Sequence, residues 1–472
     1  MRKPLGLFEA YGIEIELMIV DSKSLDVKPI ADLLLTAAAG ELASDYEDGD
    51  ITWSNELVSH VIEFKTTGPA PSLESLEAAF FRSQQKAQRL LAAHGARLMP
   101  TGMHPWMDPS SETVLWPHDN NEIYSLYDRI FGCRGHGWSN LQSVHINLPF
   151  ANEDEFRRLH SAIRVILPII PALAASSPVC ASARTGSKDT RLTYYESNQQ
   201  SIPIIAGDII PEAVTGFSDY RKKISDPIQA ATRPFDPDQL LEGDWLNSRG
   251  AIARIDRNAI EIRLLDTQEC AHANIAIVQL ICASIQSLVD DENFLKKADS
   301  LETKALREIW RSCVTNAETA VINDAAYISL FNSHPTGPPS QTSTAASETS
   351  AELWRSILRD RVKRFLVKQS AKLEQSPGAT VAEPCSLSKN DLSRLSIFEN
   401  VLLRPSLASR IESAVGVTPT REKLHQIYET LCDCLDKNEV FDPESLKTTE
   451  MIDGAHLKSS TSQKATDTFV NV

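Results

Sequence analysis

No stretch of this chain is dense in lysine and arginine. Its 63 acidic residues outnumber 47 basic ones and leave a formal net charge of −16. A protein that grips a phosphate backbone needs the opposite, a concentrated basic face. A long apolar run is missing as well. The longest, Ala271 to Val289, is interrupted by His272, Asn274, Gln279 and Gln286, which suits a buried helix and not a membrane span. The N-terminal residues, MRKPLGLFEAYGIEIEL, hold no apolar core of signal-peptide length before charges intervene, so the expectation is a cytoplasmic protein. Cysteine provides no framework. Cys133, Cys180, Cys270, Cys282, Cys313, Cys385, Cys432 and Cys434 are scattered through 472 residues, without the density or spacing of a disulfide scaffold. Cys432 and Cys434 have no second Cys/His pair nearby to complete a zinc site, so reduced thiols are expected. The glycine motifs of P-loops, kinases and dinucleotide folds do not occur either. Any phosphate group would have to be held by metal and arginine.

What is present is a globular composition, 42% hydrophobic and 23% charged, enough to bury a sizeable core. Residues 12–21 and 60–66 alternate apolar and polar side chains, as half-buried strands do. Residues 30–43 between them read as helix. Pro71-Ser72 opens an amphipathic helix to about His94, with Ser72 as N-cap and Gly95 as its stop. Strands are expected at 96–101, 142–150 and within 250–266. Residues 102–140 and 176–244 read as loop-rich, 153–175 as helical and 271–291 as a buried helix. The segment SHPTGPPSQTSTAASETSAE is a linker by composition. The expected organisation is an α+β catalytic domain over 1–335, a linker over 336–352, a helical extension over 353–446 and a disordered polar tail over 447–472.

The chemistry lies in the strand parities. Alternate side chains of a strand share a face. In IEIEL, Glu14 and Glu16 oppose Ile13, Ile15 and Leu17. In VIEFKT, Glu63 and Lys65 oppose Ile62 and Phe64. In QSVHINL, His145 and Asn147 oppose Val144, Ile146 and Leu148. In AIEIRLLD, Glu261 and Arg263 oppose Ile260, Ile262 and Leu264. A solvated face of an antiparallel sheet gives the same alternation in any one strand, but solvated faces mix in Thr, Ser and Gln. These four faces concentrate carboxylates, a histidine and an arginine. Neighbouring glutamates repel unless a cation lies between them, and magnesium takes about six oxygen ligands. Glu14, Glu16, Glu63 and Glu261 would supply such a cage, with His145 as a further ligand or phosphate contact. Arg263 and Arg254 would neutralise phosphate or clamp a carboxylate. Glu56 stands seven residues before Glu63, the wrong parity for one flat strand, so a loop or bulge must intervene if both face the site. His60 reads as a structural histidine.

GIEIELMIVD, NELVSHVIEFKT, SVHINLPF and NAIEIRLLDTQE, in this order, resemble the glutamate–cysteine ligase family of bacteria and plants, and most of all its carboxylate–amine ligase branch. The similarity covers roughly residues 6–290. It implies a glutamine-synthetase-like fold, a curved antiparallel sheet flanked by helices and enclosing a funnel for ATP and two or three magnesium ions. It implies metal binding by Glu14, Glu16, Glu63 and Glu261, with His145 on the H-x-N strand, and a phosphate-facing Arg263. Glu56 matches an acidic family position. In ASSPVCASARTGSKDTRLTYYE, Arg184, Arg191 and Tyr194 match candidate substrate contacts. The sequence departs from the branch where W-x-x-R-P usually leads into the last strand. Here it reads WLNSRGAIARIDRNAIEIR, and Arg254 can stand in for the family arginine. The expected reaction is ATP-dependent joining of a small carboxylate, glutamate in the family, to an amine, with no nucleic-acid or membrane partner and a homodimer by fold analogy. Two alternatives stay open: a ligase for another amine acceptor, and a non-catalytic scaffold that keeps the sheet. Metal-dependent nucleotide binding separates the last from the others.

Overall fold

The computed structural model describes residues 3–241, 246–331, 347–374, 387–444 and 446. Among them, eight strands, numbered here in chain order, form one antiparallel sheet: β1 (Gly12–Asp21), β2 (Asp45–Asp48), β3 (Ile51–Asn55), β4 (Val61–Thr66), β5 (Ala96–Met99), β6 (Ser143–Pro149), β7 (Ala251–Arg254) and β8 (Ala259–Asp266). Their order is β2-β3-β4-β1-β6-β8-β7, and β5 pairs with the second half of β1. The expected α+β architecture of an antiparallel sheet flanked by helices is what forms.

The apolar parities build the core. Ile13, Ile15, Leu17, Ile62, Phe64, Ile146, Ile260 and Ile262 are fully buried and join one cluster with the helices over Ala31–Ala39, Leu76–Ala92, Glu153–Ile166 and Ala271–Gln286. Burying such side chains is worth about 1.5–3 kcal/mol each, so this face fixes the register. A one-residue slip would turn every apolar side chain outward.

The helix expected from Ser72 begins instead at Leu76, with Ser75 at the N-cap position. The amide of Leu76 donates to the carbonyl of Leu73, and Leu73 is buried, so residues 72–75 turn inward before the helix starts. Gly95 does mark the stop, with φ +60°. The β2–β3 hairpin was not expected, because DYED offers no apolar alternation. The segments read as loops hold helices over Asn121–Phe131 and Thr190–Tyr195. The 250–266 segment is a hairpin reversed at Asn258, which has φ +54°. Gly250 is required before it, since a Cβ there would lie 2.5 Å from Leu264.

The C-terminal helices pack on both sides of this scaffold. Leu353, Trp354, Ile357 and Phe398 join the main core. The helices over Leu407–Val415 and Arg421–Lys437 bury Leu407, Ile411, Leu424 and Tyr428 against Met18, Val20 and Met99 in a second cluster. Most of the linker lies outside the described residues. At its end Glu348–Thr349 pairs with Val321–Ile322, and a helix starts at Ser350. The tail over 447–472 lies outside them too. No helix among the described residues is long and apolar enough to cross a membrane.

Candidate active site

The register of four strands brings the ionisable residues together. Across β1 and β6, Glu14 stands opposite His145 and Gly12 opposite Asn147. Across β1 and β4, Glu16 stands opposite Glu63 and Glu14 opposite Lys65. Across β6 and β8, Asn147 stands opposite Glu261. Directly opposed Cβ atoms lie about 4.5–5.5 Å apart, so this pairing forces like charges against one another. A register shift between Ile262 and Leu265 interrupts β8 at Arg263, whose amide donates instead to the Gly250 carbonyl.

Glu63 is the centre of the arrangement. Ligand atoms of Glu14, Glu63 and His145 all lie within 4.8 Å of one another, and so do those of Glu16, Glu56 and Glu63. Two groups therefore share one carboxylate. Glu56 reaches the second group from the turn between β3 and β4, the break that its parity required. His145 lies 2.7 Å from Glu14 through Nδ1 and 2.8 Å from the Ser143 hydroxyl through Nε2. The Ser143 amide donates to Glu16 at 2.7 Å and Asn147 donates to Glu14 at 3.0 Å. The Ser54 hydroxyl donates to Glu63 at 2.7 Å, and Lys65 forms an ion pair with Glu63 at 3.1 Å.

The electrostatics follow. Burial first, and then the neighbouring carboxylates, raise Glu14, Glu16 and Glu63 above the ordinary carboxyl range and push Glu56 well above it. Burial and then the Arg263 charge lower His145, which favours the neutral imidazole. Glu261 behaves differently. Burial would raise it, but Arg263 and Arg254 outweigh burial and hold it at about 2. Arg254 Nε lies 2.9 Å from one Glu261 oxygen, and Arg263 pairs with the other. Glu261 comes within 3.8 Å of His145, yet its carboxylate is taken up by the two arginines and belongs to neither three-residue group. The crowded groups offer carboxylate oxygens and one neutral imidazole. That donor set fits a hard divalent cation such as magnesium, which would relieve the repulsion that burial intensifies.

A cavity of about 660 Å³ adjoins these groups, lined by Glu16, Glu56, Arg191, Arg263, Trp138 and Tyr195 among others. Arg191 is buried and paired with Asp266, which also accepts from the Ser176 amide and the Ser177 hydroxyl. Two expected substrate contacts are placed elsewhere. Arg184 pairs with Glu412 at 2.9 Å and donates to the Gly416 carbonyl, so it ties the scaffold to the C-terminal helices. Tyr194 packs on His136, with ring centroids 5.3 Å apart, and its neighbour Tyr195 lines the cavity. Arg249, the arginine of WLNSR, is buried on Glu212 at 2.7 Å, which leaves Arg254 as the arginine that reaches Glu261. His60 is buried with Nε2 on the Ser139 carbonyl at 2.8 Å. Sequence reasoning missed Ser54, Ser143, Trp138 and Tyr195. Ser143 shares its parity with His145 and was recoverable, whereas Ser54 sits on the unexpected strand β3.

Comparison with known proteins agrees with this geometry. Residues 10–324 match the family described as glutamate-cysteine ligase family 2. An uncharacterised protein of Archaeoglobus fulgidus is 35% identical over 273 residues, covering 58% of this chain and 73% of that protein. A protein of Rubrobacter xylanophilus, provisionally named glutamate–cysteine ligase 2-3, is 27% identical over 181 residues, covering 38% of this chain and 45% of its own length. The chain thus spans under half of that named relative. A crystal structure of a glutamate–cysteine ligase from Francisella tularensis, in complex with AMP, superposes with a TM-score of 0.53 at 11% identity, over 100% of this chain and 96% of that one. At that identity the likeness carries the fold alone, a glutamine-synthetase-like sheet. On the match over residues 10–324, the chain belongs to glutamate-cysteine ligase family 2.

Proposed function

We propose that this protein is an ATP- and magnesium-dependent carboxylate–amine ligase that forms an amide, γ-glutamyl in the first instance, through an acyl phosphate. The observation that carries the reading is the pair of carboxylate groups sharing Glu63, set beside two arginines on Glu261. Magnesium held by Glu14, Glu16, Glu63, Glu56 and His145 would supply positive charge against the phosphate oxygens of ATP. The remaining work falls to the chain. Arg263 and Arg254 would turn from Glu261 to a transferring phosphoryl group, which would free Glu261 as a further ligand. Arg191, held by Asp266, offers a buried guanidinium for a substrate carboxylate beside Trp138 and Tyr195.

In this reaction a carboxylate oxygen attacks the terminal phosphorus of ATP and ADP leaves. The amine nitrogen then attacks the acyl carbon, phosphate leaves and the nitrogen gives up its proton. No protein nucleophile is needed, which agrees with the seven described cysteines all being buried. The partners are a small carboxylate and a small amine, in a cytoplasmic setting. The test is phosphate release by purified protein with ATP, magnesium, glutamate and a panel of amines. Release that requires both glutamate and one amine supports the reading. Release indifferent to every amine, or none under any combination, contradicts it.

A further inference from the structure

A second cavity, open to solvent, lies where the C-terminal helices meet the catalytic scaffold. Its lining residues include none of those named for the acidic cavity. Its walls are mostly apolar, with Leu173, Ile277, Trp354 and Leu407 among them. Against those walls stand two carboxylates.

Glu269 is fully buried. One of its oxygens accepts from Arg410 at 2.6 Å and from the Phe441 amide at 3.2 Å. The other is buried and has no hydrogen-bond partner among the described residues, and the same holds for one oxygen of Glu318 on the cavity wall. A buried carboxylate oxygen left without a donor loses its hydration with nothing in return. Such a group calls for a donor from outside the chain, a water, an ion or a ligand. The charges point the same way. Glu269 and Glu318 carry two negative charges and Arg410 and Arg404 two positive ones, so a zwitterion would add no net charge to the cavity. Arg404 stands exposed on the lining, where it can meet an anionic group.

We infer that this cavity binds a free amino acid with an apolar side chain: its ammonium on Glu269 and Glu318, its carboxylate toward Arg404, and its side chain among the apolar walls. The site needs the C-terminal helices, because Leu407 and Arg410 come from one of them and Arg404 from the turn that leads into it. It does not depend on the ligase reading.

The experiment is calorimetric titration of the full-length chain with three probes of one skeleton: leucine, 3-methylbutylamine, which lacks the carboxylate, and 4-methylpentanoate, which lacks the amine. Leucine is expected to bind, 4-methylpentanoate not to, and Arg404→Ala to weaken leucine roughly fivefold, the scale of a part-exposed ion pair. Glu269→Gln risks loosening Arg410, so the decisive variant is Ala273→Leu. It adds a side chain into the cavity from a helical position with no ion pair to break, and it should abolish leucine binding without changing the melting temperature of the free protein. Glu63→Gln, in the acidic cavity, should leave leucine binding intact. Three results would overturn the inference: no leucine binding by the wild-type chain, equal binding by Ala273→Leu, or binding of 4-methylpentanoate as tight as that of leucine.

Discussion

Strand β1 presents one face along its whole length, but the two halves of that face have opposite fates. Glu16 lines the acidic cavity and Glu14 stands beside it in the carboxylate cluster, whereas Met18 and Val20, two and four residues beyond Glu16, are fully buried under the C-terminal helices. The backbone is the same continuous antiparallel strand throughout. What changes is the cover. Where helices close over the sheet the strand carries apolar side chains and contributes stability. Beyond those helices it carries carboxylates beside a cavity, buried or half-buried and crowded, and their crowding works against stability. The candidate site is therefore the half of the sheet face that lies beyond the C-terminal helices, which help to define its edge.

This contrast can be broken by mutation. The largest effect is expected from Glu63→Gln, since both groups share that side chain. Nucleotide turnover should fall about a hundredfold or more, with the melting temperature unchanged or raised because one repelling charge is gone. Thermal unfolding alongside phosphate release measures both. In the covered half, Met18→Ala should do the reverse, lowering stability by about 2–5 kcal/mol in denaturant titration with the acidic groups intact.

The electrostatics of the open half give a third expectation. In the metal-free chain Glu14, Glu16, Glu63 and Glu56 have carboxyls raised by burial and mutual repulsion. The folded protein then holds more protons than the unfolded one. That contribution to stability is present below the ordinary carboxyl range and is lost as pH rises through the raised values. A cation competes with those protons. Magnesium affinity should therefore increase with pH, and binding should release protons, read as a calorimetric heat that depends on the ionisation enthalpy of the buffer. A heat independent of buffer would contradict the raised carboxyls. The smallest effect is expected at Arg184, whose partner is Glu412. Arg184→Ala should change stability by about 1 kcal/mol or less and leave KM for either substrate unchanged.

Parity made β1, β4, β6 and β8 legible in the sequence, because each carries an unbroken apolar face that must be buried. The same parity flagged Glu56 as needing a turn before it could join Glu63, and a turn is what places it. Parity could not show Ser54, since strand β3 pairs with a polar edge strand that has no alternation of its own. The phase of the short helix over Thr190–Tyr195 was equally hidden, so Tyr194 was expected where Tyr195 lies. Arg184 was misplaced for a different reason: its partner is 228 residues away, and no local pattern announces such a contact. That Arg249 is buried against Glu212 while Arg254 reaches Glu261 is likewise a tertiary fact.

The shared role of Glu63 is tested most directly by anomalous diffraction from crystals soaked in manganese(II), a visible substitute for magnesium. Two anomalous peaks flanking Glu63 are predicted, one toward Glu14 and His145 and one toward Glu16 and Glu56. Peaks confined to surface carboxylates, with none beside Glu63, would contradict the account.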